Sequence, residues 1–531
     1  MKVTQIPFQK TGFFSKTMLD YLEQKETIRP FYNNSPSKDG FKKQLAEKEA
    51  SFPKEHRKVL VNALQNQYSN ISVSVQTQQH IDSLLQTNTF TVTTGHQLNL
   101  FTGPLYFLYK IISTINLAEE LCAQFPEHAF VPVYWMATED HDFEEINYFN
   151  FKGKKVQWKR DAAGAVGHFS TEGLKEVFEA FSQQLGTTRN AKFLKDLFEQ
   201  GYLHYDTLAE ATRYIANELF ASYGLVIVDG DDAALKSLYT PIVAKELTEQ
   251  VSFKSVSNTI SALEEQYKIQ VNPREINQFY LSDAARERIV KEGDHYRIHN
   301  TTTSFSEKEI LAHLKEFPEK FSPNVIMRPV YQEAILPNLA YIGGGGELAY
   351  WLQLKAYFKE VQLPFPILVL RNSVQIVSRK QQQKLDALNI SIEEVFLKKA
   401  SLLKKKVNEN SDIEFNFSDA QTLLEQQFTA LRSVANQTDA SFVGAVHAQA
   451  KKQLNGLKNL ENRLLRAEKR RQKELVFRIS EIKEQLFPNQ SLEERQRNFS
   501  EYYLAYGDAF IATLKSILKP LDFEFTVLEL E

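Results

Sequence analysis

Cysteine is almost absent from this 531-residue chain, with Cys122 its single instance. One cysteine cannot close an intramolecular disulfide, which fits a reducing compartment and excludes a disulfide-stapled secreted scaffold. Cys122 adjoins the apolar helical text 111–121 and is expected to be buried and inert, because no cationic surroundings that would stabilise a thiolate are visible. Long hydrophobic runs are also missing. No stretch approaches the roughly 18–20 apolar residues that cross a bilayer, so no membrane span is expected. The opening residues, Met1 to Pro7, hold no apolar core before a cleavage site, so no secretory signal is expected and the cytoplasm is the expected compartment. Excess charge is lacking too. A net charge of −3 and a sequence pI of about 6.5 provide no global basic field for nucleic acid, which leaves a small-molecule partner as the default.

What is present suffices for several packed units. The chain exceeds the roughly 250–300 residues at which one hydrophobic core stops growing. Its 43% hydrophobic and 12% aromatic residues can fill more than one. After a mostly helical, polar opening (1–85), short apolar runs at 90–93, 130–134, 225–228 and 367–370 alternate with helical text. Each reads as a parallel strand buried on both faces, so the fold class is α/β with a doubly wound sheet. Stretches at about 147–215 and 254–325 are too long for simple crossovers and read as insertions. Beyond about residue 381 glycine and proline become scarce. A helix capped by Ser418 or Asp419 is expected, then a break at 436–439. A second helix follows, with Val443, Val446, Ala450, Leu457, Leu460, Leu464 and Ala467 at heptad spacing; the register slips near Arg470-Arg471 and resumes with Leu475, Ile479, Ile482 and Leu486. Unbroken to 486 it would be roughly 70 Å long at 1.5 Å per residue, and such a seam calls for a partner. The basic tract 463–473 reads as its solvated face. The chain thus divides into a core (1–380), a helical coiled-coil unit (381–487) and a segment returning to the core (488–531).

Ligands in open α/β sheets bind beyond the carboxyl ends of the strands, and polar text follows each expected strand. The first block joins Gly95, His96, Gln97, Asn99, Thr102 and Gly103 to a helix carrying Tyr106 and Lys110. Its glycines permit close backbone approach and a following helix favours an anion; their spacing matches neither a P-loop nor a dinucleotide fingerprint, and a plain strand–helix turn is an equal reading. The second block is Glu139-Asp140-His141-Asp142. Carboxylates crowded beside an imidazole call for a cation, a substrate ammonium or a metal, and would stabilise the imidazolium of His141. Adjacent residues rarely face one ion together, so an amine is preferred over a metal and no metal site is expected. Asp229 follows the third strand, and Arg371 the fourth. The third block runs from Arg328 and Gln332 through Asn338 to Gly343, Gly344, Gly345, Gly346, Glu347 and Tyr350. Four consecutive glycines cost conformational entropy, so a close approach to phosphate or carboxylate is the favoured reading, with Glu347 placed to hold an amine.

In order along the chain, these blocks resemble the bacillithiol-biosynthesis cysteine-adding enzymes. Thr94 to Lys110, Pro132 to Asn147, Arg328-Pro329 with Gln332, Leu336-Pro337, the glycine run through Tyr350, and Leu368 to Ser373 carry the resemblance. It implies a Rossmann-like core of nucleotidyltransferase type, related in architecture to class I aminoacyl-tRNA synthetases. Connecting-peptide insertions and an antiparallel coiled coil supporting a homodimer come with it. The implied activity is carbon–nitrogen ligation, in which the amine of glucosaminyl malate attacks the activated carboxyl of cysteine, with ATP or another nucleotide as the activating group. Glu139, Asp140 and Asp142 would then hold an ammonium or the nucleophile, and His141 would assist proton transfer. His96, Gln97 and the glycine amides would stabilise negative charge, and Lys110, Arg328 and Arg371 would meet the malyl carboxylates. Two rivals are a metal-dependent hydrolase built on Asp140, His141 and Asp142, and a non-enzymatic dimeric scaffold. Neither nucleic acid nor membrane is an expected partner.

Overall fold

The computed structural model describes residues 2–161, 163–282, 285–413 and 415–530. Its centre is a five-stranded sheet of β1 (Thr89–His96), β2 (Ala129–Met136), β3 (Val226–Asp229), β4 (Asn338–Gly343) and β5 (Ile367–Leu370), in the order β5-β4-β1-β2-β3. All four pairings are parallel. Every residue of β1, β4 and β5 is buried, as strands covered by helices on both faces must be. Helix α1 (Tyr106–Gln124) connects β1 to β2, and α2 (Ala233–Glu249) follows β3. Helix α3 (Arg328–Ile335) precedes β4, and α4 (Gly345–Trp351) leaves it. The chain runs outward from β1 through β2 to β3, then returns to build β4 and β5 on the opposite side. The strand order therefore reverses between β1 and β4, and their carboxyl ends form the crevice where such sheets bind ligands.

Four of these strands coincide with the apolar runs read from the sequence, and β4 does not. Asn338 opens it, and its amide side chain lies inside the sheet, accepting from Thr91 Oγ1 (3.1 Å) and Thr93 Oγ1 (2.8 Å) and donating to Glu333 Oε1 (2.6 Å). Lys48 closes the cluster by pairing with Glu333 at 3.1 Å, both side chains being buried. A polar opener and a glycine end hid the strand in what reads as loop text.

Between β2 and β3 lie a hairpin (Tyr148–Phe151 with Lys154–Gln157) and the helices Leu174–Leu185, Arg189–His204 and Leu208–Phe220. Between β3 and β4 stands a separate sheet around Gln278–Ser282, Ala285–Glu292 and Phe321–Pro323, which brings Arg286 toward the crevice. A third sheet joins Lys2–Pro7, within text read as helical, to Glu524–Leu530 and Val374–Ser378.

The late helices are α5 (Ser418–Ala435), α6 (Ala440–Arg471) and α7 (Lys473–Leu486). Ser418 and Asp419 lie inside α5 and neither caps it; Asn416 Oδ1 accepts from the Ser418 amide at 2.9 Å instead. Asp439 caps α6 through the amides of Ser441 and Phe442. The expected rod is interrupted at Gln472, whose ψ of 36° ends α6. Phe428, Ala435, Val446 and Ala450 form a small core between α5 and α6, while Leu431, Phe442 and Leu460 remain exposed. Cys122 is exposed near the end of α1, contrary to the burial expected of it: the helix buries its opposite side against the sheet. No described helix is long and apolar enough to cross a membrane.

Candidate active site

A cavity of about 420 Å³ opens at the β1–β4 crevice. Gly95 at the end of β1 forms its floor, and a Cβ there would lie 3.1 Å from Tyr341 Oη and 3.6 Å from Arg328 Nη1. A side chain would therefore crowd the Tyr341 hydroxyl, which glycine avoids.

One wall is cationic. Lys110 projects from α1 onto the Gly95 carbonyl and both oxygens of Glu347, at 2.7 and 2.8 Å. Glu347 also accepts from Tyr341 Oη (3.2 Å) and from the Gly344 amide (2.7 Å). Burial alone would raise the Glu347 carboxyl, but Lys110 and these donors hold it below its ordinary value, so it is a fixed carboxylate. Three arginines stand beside this pair. Arg328 donates to Gln332 Oε1 (3.0 Å) and sits near the rings of Tyr341 and Trp351, with no carboxylate in ion-pair range among the described residues. Arg371 is held by Glu494 at 2.6 Å and by Ser373 Oγ, yet its buried Nε has no partner. Arg495 lies over Tyr106, and its guanidinium has no hydrogen-bond or carboxylate partner among the described residues.

His96 lies between these charges and the aromatic rings of Tyr106 and Phe107. Burial first, then the charges of Lys110 and Arg371, depress its pKa well below the ordinary histidine value. The imidazole is therefore neutral, and its buried Nε2 has no partner.

The opposite wall is acidic. Glu139 turns inward, its Oε1 2.6 Å from Lys236 Nζ. Burial raises its carboxyl pKa against the pull of Lys236. Asp140 accepts from Gln97 Nε2 at 2.9 Å and from the amide of His141 at 2.8 Å. Arg286 closes the rim, anchored on Ser322 Oγ and the Pro323 carbonyl and stacked over Phe279 at 4.1 Å. The cavity thus presents unpaired guanidinium donors on one side and carboxylates on the other. That is a receptacle for a ligand carrying both signs.

Two family models match the chain. "Bacillithiol biosynthesis BshC, N-terminal Rossmann-like domain" covers residues 1–372, and "Bacillithiol biosynthesis BshC, C-terminal coiled-coil domain" covers residues 374–530. The chain belongs to the BshC family. A relative from Flavobacterium johnsoniae is 53% identical, covering 98% of this chain and 99% of its own length. Others from Christiangramia forsetii (52%, covering 99% of both chains) and Cytophaga hutchinsonii (39%, covering 98% of both) align as fully. All three carry the name "Putative cysteine ligase BshC".

In this BshC-family chain, thirteen residues singled out from the sequence line the cavity. These are Gly95, His96, Gln97, Tyr106 and Lys110; Glu139 and Asp140; Arg328, Gly344, Gly346, Glu347 and Tyr350; and Arg371. Glu347, read as an amine holder, has its charge met by Lys110, and the Gly344 amide is already taken by Glu347. The second half of the first block turns away. Asn99 packs under Gly103, whose φ is +63°, and Asn498 Nδ2 donates to the carbonyls of Phe101 and Gly103 (2.8 and 2.6 Å), so Asn99, Thr102 and Gly103 shape the turn behind the cavity. Gln332 supports Arg328 from beneath, Asn338 lies in the sheet core, Gly343 ends β4 and Gly345 packs on Met18. Asp229 is turned toward the Asp231 amide and Arg213.

His141 and Asp142 lie outside the cavity. Arg286 Nη1 donates to His141 Nδ1 at 3.0 Å, and the flanking Asp140 and Asp142 carboxylates stand 3.7 and 4.0 Å from the ring nitrogens. Asp140, His141 and Asp142 do not converge, and among the described residues no three His, Cys, Asp or Glu side chains are placed to hold one ion. Sequence reasoning missed Arg286, Lys236 and Arg495. Lys236 follows the acidic text 229–232 by one helical turn, a signal that was available. Arg286 comes from an insertion with no distinguishing pattern, and none was.

Proposed function

We propose that this protein joins the carboxyl of cysteine to the amine of glucosaminyl malate, forming an amide in the β1–β4 cavity. The observation that carries the reading is the division of that cavity into a wall of incompletely paired arginines and a wall of carboxylates, within a chain of the BshC family. Arg328, Arg495 and Nε of Arg371 suit carboxylate or phosphate oxygens, which accept paired N–H donors. The Lys110–Glu347 pair fixes the floor between them. Glu139 and Asp140 suit an ammonium, and Gln97 steadies Asp140. Neutral His96 can donate or accept one hydrogen bond at the floor without adding charge.

ATP or another nucleotide fits the cationic wall, because its unpartnered donors match a polyanion and Gly346 leaves open space beside them. When bound, it supplies the leaving group on the cysteine carboxyl. The chain's own residues hold both reactants so that the amine nitrogen forms the new bond as the activating oxygen departs with its electron pair. The amine's proton passes to a carboxylate of the acidic wall. The exposed seam of α5 and α6 supports a homodimer.

The test is product formation by purified protein from cysteine, glucosaminyl malate and ATP, followed by mass spectrometry. The amide product is expected only in the complete mixture. Its absence there refutes the reading, and full yield without ATP refutes nucleotide activation.

A further inference from the structure

Behind Glu139 a continuous line of alternating charge leads out of the cavity to the surface. Glu139 Oε1 is 2.6 Å from Lys236 Nζ, and the same Nζ is 2.7 Å from Asp231 Oδ1. Asp231 Oδ2 is in turn 2.6 Å from His168 Nε2. The residues come from four separate segments: the loop after β2, helix α2, the loop after β3, and the insertion between those strands. Lys236 is 1% exposed and Asp231 5%, whereas the His168 side chain is 61% exposed. Lys236 Nζ also donates a hydrogen bond to the Glu319 carbonyl at 2.8 Å. The ends of the line are thus an acceptor in the reaction cavity and an imidazole in contact with solvent.

We propose that Lys236, Asp231 and His168 are positioning residues for Glu139, and that the charge on His168 sets how strongly Lys236 supports the Glu139 carboxylate that takes the amine's proton. This rests on the amide-forming reading above. With His168 charged, Asp231 is shared between two cations. With His168 neutral, Asp231 draws on Lys236 alone, and Glu139 loses part of its compensation. Other groups face the line without lying on it. Asp229 faces His168 and Asp231, while Arg286 and the Tyr331 and Tyr239 hydroxyls face Glu139. None of them bridges Lys236 to the surface. Burial would lift the Asp231 carboxyl, yet His168 and Lys236 hold it at about 2, and the same carboxylate raises the pKa of His168. In the proton step, the amine's N–H bond breaks, its pair stays on nitrogen, and the proton bonds to a Glu139 oxygen.

The test is the acid limb of the kcat/KM–pH profile for amide formation. His168→Gln removes a positive charge at an exposed site while retaining an N–H donor, and is expected to move that limb up by about half to one pH unit. Asp231→Asn removes the negative charge, commits Lys236 to Glu139, and is expected to move the limb down. Glu139→Gln is expected to lower kcat by about 100-fold or more with the fold intact by circular dichroism. A purely structural role would lower activity evenly across pH. If wild type forms product and both charge variants keep its limb, the inference is overturned alone. If wild type forms no product, the amide-forming reading falls, and the inference with it.

Discussion

Arg328 is a guanidinium near the reaction floor with aromatic neighbours and no carboxylate in ion-pair range among the described residues. Arg328→Met keeps much of the side-chain volume and removes the donor fork. It is expected to raise the KM for the anionic substrate about 10- to 100-fold, read from initial rates, while the thermal midpoint stays within a few degrees. His96 makes a different prediction, about stability. Its folded pKa lies below the unfolded value near 6.5. On acidification the unfolded chain binds a proton that the folded chain refuses, so stability is lost as pH falls below about 6.5. Denaturant unfolding from pH 7 to pH 5 is expected to show a His96 contribution of about 2 kcal/mol. That contribution should be missing in His96→Phe, and equal slopes for the two proteins would contradict it. At this scale the sequence was informative wherever a residue ends a strand or comes shortly after one, as Gly95, His96 and Glu139 do. It was silent where a side chain arrives from elsewhere. Arg286 reaches the rim from a separate sheet, and Arg495 lies more than a hundred positions beyond Arg371, whose wall it shares.

At the scale of elements, β1, β2, β3 and β5 were readable because a parallel strand buried on both faces must be apolar throughout. β4 breaks that rule with Asn338, and the break has a cost if mended. Asn338→Leu would look like an improvement by hydrophobicity. It would strand the Thr91 and Thr93 hydroxyls inside the sheet and leave Glu333 Oε1 with the Gln332 amide alone. A loss of about 2–4 kcal/mol in unfolding free energy is expected, because unmet buried polar groups cost more than a methyl contributes. A variant as stable as wild type would show that the polar cluster is dispensable. The α6–α7 break at Gln472 was likewise foreshadowed only as a slip in heptad register near 470. Spacing marks where a seam stops facing one partner, but it does not distinguish a slip from a broken helix.

For the whole molecule, the insertions lay where the strand spacing was uneven, yet their contents were not legible: a five-stranded sheet in one and a helical bundle in the other are built from short, locally weak signals. The helical hairpin leaves Leu423, Leu431, Val434, Phe442 and Leu460 exposed. Light scattering coupled to gel filtration is expected to give twice the chain mass. Leu460→Lys combined with Phe442→Lys is expected to halve it without changing the cavity's ligand affinity. A wild-type mass of one chain would remove the homodimer.

Arg371 is held by Glu494, and Asn498 holds the turn behind Gly103, so the cavity is fastened by residues made more than a hundred positions after the central sheet is complete. A ribosome that has completed all five strands of the central sheet still carries a chain whose cationic wall is not fixed. Domains generally fold as units during synthesis, but here substrate competence must wait for Glu494 and Asn498 to emerge. A chain released early would contain every residue of the acidic wall and would still be unable to position what that wall is meant to receive.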